Sequence, residues 1–130
     1  MTIYKIPELQ WSDEEACEKG YRDDLVLENE GHFYRLRIYG SISFRQDVQR
    51  EVSYSGYSVL EPNLIILKEV TRNEIENVLK KEITSDTLTL MKEYEVKNGK
   101  LIIANNANEV AQAKGYNIDA NIGIDDLVIY

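Results

Sequence analysis

The residues of this chain that could carry out chemistry are few, and their number excludes several classes of site. The 130 residues include one histidine, His32, and one cysteine, Cys17. A structural zinc site needs three or four Cys, His or acidic ligands, so we do not expect one here. Cys17 and His32 would form a nucleophilic dyad only if the fold brought them together. We expect instead a packed, inert cysteine in a short helix and an exposed histidine in a turn.

No other catalytic or cofactor-binding motif rises above background. The chain lacks the G-x-S-x-G elbow of serine hydrolases and the glycine-rich loops that bind phosphates. Residues 119–126, DANIGIDD, resemble the start of a calcium loop, but the glycine comes one place early and Tyr130 stands where glutamate is needed. Asp23 and Asp24 are neighbours at the start of a predicted strand. Neighbours along a strand point to opposite faces, so we do not expect an acid–base pair. We expect no catalytic residue, no metal and no cofactor.

Charge is the first feature that bears on binding. The formal net charge is −8, and residues 8–30 hold nine acidic residues against Lys19 and Arg22. Such a chain should repel nucleic acids and anionic membranes, which are bound through clustered Lys and Arg. An acidic face would attract a basic protein and speed the encounter. The alternative is a solvated face that only keeps the protein soluble.

Tyrosine is the second such feature, with nine tyrosines against two phenylalanines and one tryptophan. Tyrosine combines a large rigid ring with a polar tip, which suits a surface that is sometimes covered. Residues 53–58, SYSGYS, have a composition like that of an antibody paratope. The alternative is that the tyrosines of this segment pack on the rim of the sheet beside a helix end. The candidate partner-binding residues are Asp13, Glu14, Glu15, Glu18, Asp23, Tyr54 and Tyr57.

Among the elements that must position these residues, the clearest is a strand-to-helix unit over residues 63–83. Leu64–Leu67 form an unbroken apolar run, which is typical of a strand buried on both faces. Thr71 and Glu74 form a capping box, and apolar residues recur at helical spacing from Ile75 onward. The sequence therefore predicts a strand followed by an amphipathic helix.

The acidic segment is predicted to contain a short helix and to run into a pair of strands. Ser12 and Glu15 form a second capping box before a helix over residues 13–19. Residues 24–28 and 33–39 follow as two antiparallel strands. Apolar and polar residues alternate along the second strand, so we expect one of its faces to be exposed to solvent.

Beyond these strands the signals are mixed. Residues 44–55 favour a helix stopped at Gly56, although their beginning also continues the strand alternation. Residues 88–96 predict a long strand, because their apolar residues share one parity. Asn98-Gly99 is the strongest hairpin signal, since both residues accept the positive φ angles of a type I′ turn.

The last part of the chain is predicted to hold a short helix and a terminal strand. Asn106 would cap the helix, which closes at Gly115, and residues 127–130 would form the strand. The sum is a single α+β domain over residues 1–130. We expect a mainly antiparallel sheet of five or six strands with three or four helices packed against one face.

These observations lead to two hypotheses about function. No apolar run approaches the ~20 residues of a membrane helix, no leader of the signal-peptide kind is seen, and a single cysteine fits a reducing cytoplasm. We expect a non-enzymatic cytoplasmic module that binds a protein, such as an acidic inhibitor or immunity-type protein that neutralises a basic toxin. The alternative is a small-molecule-binding protein or metabolic enzyme. Its pocket would lie between sheet and helices, with Arg35, Arg37 or tyrosine hydroxyls as polar groups.

Overall fold

The computed structural model describes residues 1–9, 11–104 and 113–118. Within them the chain forms nine strands, a 3-10 turn at Pro7–Leu9 and four α-helices. The strands are β1 (Thr2–Lys5), β2 (Tyr21–Arg22), β3 (Leu25–Asn29), β4 (His32–Arg35), β5 (Arg37–Gly40), β6 (Leu64–Leu67), β7 (Val96–Lys97), β8 (Lys100–Ile103) and β9 (Lys114–Tyr116). The helices are α1 (Asp13–Lys19), α2 (Ser41–Ser55), α3 (Arg72–Glu82) and α4 (Ser85–Thr89).

The described strands make three small sheets of three strands each. Sheet A has the order β1-β3-β4, sheet B the order β2-β5-β6 and sheet C the order β7-β8-β9. All strand pairs in them are antiparallel except β5 with β6. The α+β class is therefore confirmed, but the prediction of one sheet with five or six strands is wrong. The strand predicted over residues 33–39 breaks at Leu36, which sends β4 into sheet A and β5 into sheet B.

Sheet A is buried on both of its faces. Successive side chains of a strand point to opposite faces, and β3 shows this directly. Leu25 and Leu27 join a core cluster that also holds buried residues of α1, α3 and α4. Val26, between them, joins Leu101 and Ile103 of β8 in a second cluster. Three helices thus lie over one face of sheet A and sheet C lies over the other.

Helix α3 forms as its sequence predicts. Thr71 Oγ1 accepts a hydrogen bond from the Glu74 backbone N–H at 3.2 Å, which caps the first turn. The Glu74 carboxylate in turn accepts from the backbone N–H of Glu69 at 3.0 Å. Ile75 and Leu79 are fully buried against the core, so the apolar stripe of the helix faces inward.

Strand β6 differs from its prediction in burial. It lies at the edge of sheet B, where β5 is its only partner among the described strands. Ile66, in its middle, is 46% exposed, so the face to which Ile66 points is not covered. A continuous apolar run predicted a strand buried on both faces, and that prediction is wrong because the run says nothing about position in the sheet.

The prediction of a long strand over residues 88–96 is wrong, because the segment begins in helix α4 and only Val96 belongs to a strand. Thr84 Oγ1 accepts from the Thr87 backbone N–H at 3.3 Å and caps α4, whose Leu88 is buried in the core. Only the end of the segment is extended. The hairpin that follows is confirmed, with positive φ at Asn98 (53°) and Gly99 (73°).

Three further predictions concern the end of the chain. The helix predicted from Asn106 to Gly115 lies outside the described residues up to residue 112. Its predicted last residues, Lys114 and Gly115, belong instead to strand β9. The calcium-like residues 119–126 and the terminal strand 127–130 also lie outside the described residues.

Candidate functional site

Helix α1 presents three of the predicted partner-binding residues to solvent. Ser12 Oγ accepts from the Glu15 backbone N–H at 3.0 Å, and Gly20 ends the helix in the left-handed conformation (φ 68°). Glu14, Glu15 and Glu18 are exposed, and no ion pair among the described residues involves them. Residues three or four apart share one side of a helix, so all three carboxylates lie near one another. We call these three side chains the acidic face.

Asp13, in the same helix, is held in an ion-pair bridge. Its carboxylate accepts from Arg22 Nη1 at 2.8 Å and lies 2.7 Å from Arg72 Nη2. Partial burial acts to raise the pKa of Asp13, but the two guanidinium groups outweigh burial and lower the pKa below its ordinary value. Asp13 therefore ties α1 to β2 and α3, and its charge is largely compensated inside the molecule.

Arg22 and Asp24 form an ion pair inside the protein. Arg22 Nε donates to Asp24 Oδ1 at 2.7 Å and Nη2 donates to Oδ2 at 3.2 Å, a two-pronged geometry. Asp24 is fully buried and Arg22 is 5% exposed. Burial acts to lower the pKa of Arg22, but the hydrogen bonds to Asp24 and Asp13 raise it overall. Asp24 contributes to the net charge, but its burial prevents contact with a partner protein.

Asp23 is the hub of a second charged group. Its carboxylate accepts from Trp11 Nε1 at 2.8 Å and from Arg35 Nη2 at 2.9 Å, and lies 3.5 Å from Arg37 Nη1. Its side chain is 17% exposed. The Tyr21 hydroxyl accepts from Arg37 Nη1 at 3.1 Å. We call Asp23, Arg35, Arg37 and Tyr21 the arginine cluster. Its contacts occupy most of the Asp23 carboxylate, so this residue has little surface left for a partner.

The electrostatics of the arginine cluster reflect its burial. Burial, followed by the negative charge of Asp23, raises the pKa of Tyr21 to about 12. Burial and then the like charge of Arg37 lower the pKa of Arg35. Within the described part of the chain, two buried N–H groups of the cluster have no acceptor: Arg35 Nη1 and Arg37 Nε.

The position of the arginines corrects the predicted solvent-exposed face of residues 33–39. The Arg35 side chain is only 3% exposed and that of Arg37 17% exposed. Asp23 contacts this face through two groups: its carbonyl oxygen accepts from Arg35 Nε at 2.9 Å and its carboxylate accepts from Arg35 Nη2 at 2.9 Å. The alternation of polar residues predicted that the arginine side chains are exposed to solvent, but they form ion pairs with Asp23 inside the protein.

Helix α2, predicted over residues 44–55, is confirmed and begins earlier, at Ser41. Its first half is attached to the body, where Phe44 lies edge-on to Tyr39 with ring centroids 5.5 Å apart. Ser43 Oγ also donates to the Lys19 carbonyl oxygen at 3.0 Å, which joins the start of α2 to the end of α1. No residue of α2 is buried, so this helix does not contribute to the core.

The second half of α2 and the segment after it form a projection that we call the α2 arm, residues 49–62. All fourteen residues are exposed. Gly56 ends the helix in the left-handed conformation (φ 82°), and Ser58 Oγ donates back to Glu51 at 2.6 Å. The arm carries exposed large apolar or aromatic side chains at Val52 (46%), Tyr54 (87%), Tyr57 (66%), Val59 (74%) and Leu60 (78%). The alternative that Tyr54 and Tyr57 pack on the sheet rim is therefore wrong.

The predicted partner-binding residues fall into separate places. The acidic face holds three of them and the α2 arm holds Tyr54 and Tyr57, whereas Asp13 and Asp23 are engaged in internal ion pairs. From Ser43, beside the end of α1, to Tyr54 is eleven residues along α2, or about 17 Å at 1.5 Å per residue. The partner-binding residues predicted from the sequence did not include Val52, Val59 and Leu60 of the arm.

Cys17 and His32 have different neighbours. Cys17 is exposed on α1, so the expected packed cysteine is wrong. The buried side of α1 is occupied by the neighbouring residue, Ala16. His32 is exposed, as expected, and its Nδ1 lies 2.6 Å from Glu93 Oε1. The hydrogen bond of the imidazole is thus to a carboxylate rather than to the thiol, and the geometry does not assemble a nucleophilic dyad.

Two of the depressions formed by described residues are broad and open to solvent, and a third is small. One of about 540 Å³ is lined by residues of the 92–97 segment and β8, and one of about 390 Å³ lies along the start of α2. Neither is lined by Arg35 or Arg37. A hollow of about 20 Å³ lies under the arm between Tyr39, Phe44 and Val59. None of these three is an apolar pocket between sheet and helices with converging polar groups.

Three findings bear on the class of protein. In the residues that the structure describes, no three His, Cys, Asp or Glu side chains come together as a metal site. None of the helices in the described ranges is long and apolar enough to cross a membrane. Comparison with protein-family models, curated proteins and solved structures finds no match to this chain.

Proposed function

We propose that this protein is a non-enzymatic cytoplasmic module that binds a basic protein, in the manner of an acidic inhibitor or an immunity-type protein. The observation that carries the proposal is the α2 arm. It holds fourteen consecutive exposed residues, five of them large apolar or aromatic side chains. Exposed apolar patches mark interaction sites, and tyrosine is favoured at interfaces because it buries area at low entropic cost.

The charge of the molecule supports a basic partner. The net charge is −8, and the acidic face adds three exposed carboxylates that no described cation pairs. A stable interface covers about 800 Å² on each partner, which corresponds to a patch roughly 30 Å across. We propose that one partner of ordinary size covers both the α2 arm and the acidic face. The glutamates would then speed association while Tyr54 and Tyr57 would slow dissociation.

The test is to isolate a partner with the full chain and to measure its binding kinetics with matched variants. Reversal of the acidic face, Glu14→Lys with Glu15→Lys and Glu18→Lys, should slow association and flatten its salt dependence. Tyr54→Ala with Tyr57→Ala should leave the association rate nearly unchanged and raise the dissociation rate about tenfold or more, as loss of interface anchors does.

A control with the same change in net charge separates local from overall electrostatics. Glu30, Glu82 and Asp86 are exposed acids outside both surfaces, and all three can be changed to lysine together. This control should slow association much less than reversal of the acidic face. If both triple variants slow association equally, the face has no special role. If the tyrosine variant binds as tightly as the wild type, the arm is not the anchor and the proposal fails.

A further inference from the structure

Two arginines of the arginine cluster, Arg35 buried and Arg37 partly exposed, share a single carboxylate. Arg35 and Arg37 both reach Asp23, at 2.9 Å and 3.5 Å, and their side chains are only 3% and 17% exposed. A charge removed from water needs a counter-charge and a full set of hydrogen bonds, or its burial is unfavourable. The cluster holds two positive charges and one negative charge in contact. It is therefore one negative charge short.

The two arginines also have donors to spare. Arg35 uses Nε and Nη2 on the carbonyl and carboxylate oxygens of Asp23, and Arg37 uses Nη1 on Tyr21 and Asp23. Arg35 Nη1 and Arg37 Nε are buried without an acceptor in the described structure. Unused donors on a buried charged group are rare in folded proteins, because each forgoes a strong hydrogen bond.

The carboxylate of Glu61 does not complete the cluster. Its charge acts on both Arg37 and Tyr21, so it lies in their neighbourhood. Glu61 is exposed, however, and it is not among the ion pairs formed by described residues. It supplies a negative potential at the edge of the cluster but no acceptor for the two unused donors.

We infer that the arginine cluster binds a small oxyanion, which accepts hydrogen bonds from Arg35 Nη1 and Arg37 Nε and supplies the missing negative charge. Guanidinium groups suit carboxylates and phosphates because their N–H donors form a rigid planar fork. The side chain of Arg37 is 17% exposed, so Arg37 provides the approach from solvent. Neither arginine belongs to the acidic face or to the α2 arm, although Glu61 of the arm lies beside the cluster.

The experiment uses the ¹⁵N-labelled full chain and follows the arginine Nε–H signals by NMR. Inorganic phosphate and acetate are titrated separately, with chloride at matched ionic strength as the reference. The signal of Arg37, identified by its loss in Arg37→Lys, should shift and saturate with phosphate, with acetate or with both, but not with chloride. Which of the two saturates at the lower concentration shows whether the site prefers a phosphate or a carboxylate group.

Variants then test the geometry. Arg37→Lys keeps the charge but removes the Nε–H donor, so it should weaken anion binding about tenfold or more. Glu61→Gln removes a nearby repulsive charge and should tighten binding. Arg45→Lys, at an exposed position of α2, is the matched control and should leave the affinity unchanged. The inference is overturned if the Arg37 signal of the wild type does not move, or if Arg37→Lys and Arg45→Lys weaken binding equally.

Discussion

Replacing Asp23 by asparagine separates a structural role for this acid from a partner-binding role. Asparagine keeps the size of the side chain and one acceptor oxygen, but it removes the negative charge that Arg35 and Arg37 share. Breaking a buried ion pair from one side costs about 3–5 kcal/mol, because the remaining charge is left uncompensated. The amide oxygen still accepts one hydrogen bond, from Trp11 or from Arg35, so we expect a loss near the lower end, about 3 kcal/mol.

Urea denaturation measures this loss. With a slope of about 2 kcal/mol per molar, the midpoint should fall by about 1.5 M. Glu18→Gln is the matched control, since it removes one carboxylate from an exposed position and should change the free energy of unfolding by less than about 0.5 kcal/mol. If Asp23→Asn unfolds at the same urea concentration as Glu18→Gln, the two arginines do not depend on Asp23 and the account of the cluster is refuted.

Four further outcomes are expected. Ile75→Asp should abolish folding or sharply lower the denaturation midpoint. Ile75 is fully buried, so the variant loses about 1.5–3 kcal/mol of apolar burial and also buries an unpaired charge. The control variant Ile75→Val should lower the free energy of unfolding by only about 1 kcal/mol. The pKa of Asp13 is lowered in the folded state, so ionised Asp13 stabilises the fold above the unfolded pKa of about 3.9, and this stabilisation is lost as the pH falls through the folded pKa. The difference in unfolding free energy between the wild type and Asp13→Asn should therefore shrink in acid. The pKa of Tyr21 is raised to about 12, so the free energy of unfolding should decline as the pH rises from about 10 to about 12. Tyr21→Phe should flatten this decline. Equal slopes of unfolding free energy against pH in the two proteins would contradict the expectation. A chelator should leave the thermal melt unchanged, and a lowered melting temperature would instead support the calcium-like reading of residues 119–126.

Features set by a few adjacent residues could be predicted from the sequence. The caps at Ser12 and Thr71 form as expected because a side-chain oxygen needs to reach only a backbone N–H three residues away. The Asn98-Gly99 turn likewise depends on two residues that tolerate positive φ. In each case the whole cause of the structure lies within one turn of the chain.

Features that depend on distant partners could not be predicted. Alternation runs unbroken through Leu36, so periodicity gives no sign that β4 and β5 belong to different sheets. Leu88 fits a strand by parity and a helix by its cap at Thr84, and burial in the core decides for the helix. Short apolar runs are ambiguous in this way until their neighbours are known.

The exposure of the α2 arm had a weak signal in the sequence. Polar residues occur on every side of α2, and a helix of that kind has no stripe wide enough to enter a core. Val52 and Tyr54 follow in its last turns, where an apolar stripe would normally face inward. Because this part of α2 does not face the core, Val52 and Tyr54 remain exposed. Their exposure makes the α2 arm a stronger candidate for partner binding than its composition alone indicated.

The arrangement of the acidic residues changes what electrostatic steering can be expected to do. Net charge counts Asp13, Asp23 and Asp24 with the glutamates, but the structure pairs all three with arginines. Charges paired at short range produce little field at a distance, since the two signs cancel beyond a few ångströms. A partner approaching α1 therefore meets chiefly the acidic face. The salt dependence of association should accordingly reflect about three local charges rather than the nine acids of residues 8–30, and neutralising Glu14, Glu15 and Glu18 should remove most of it.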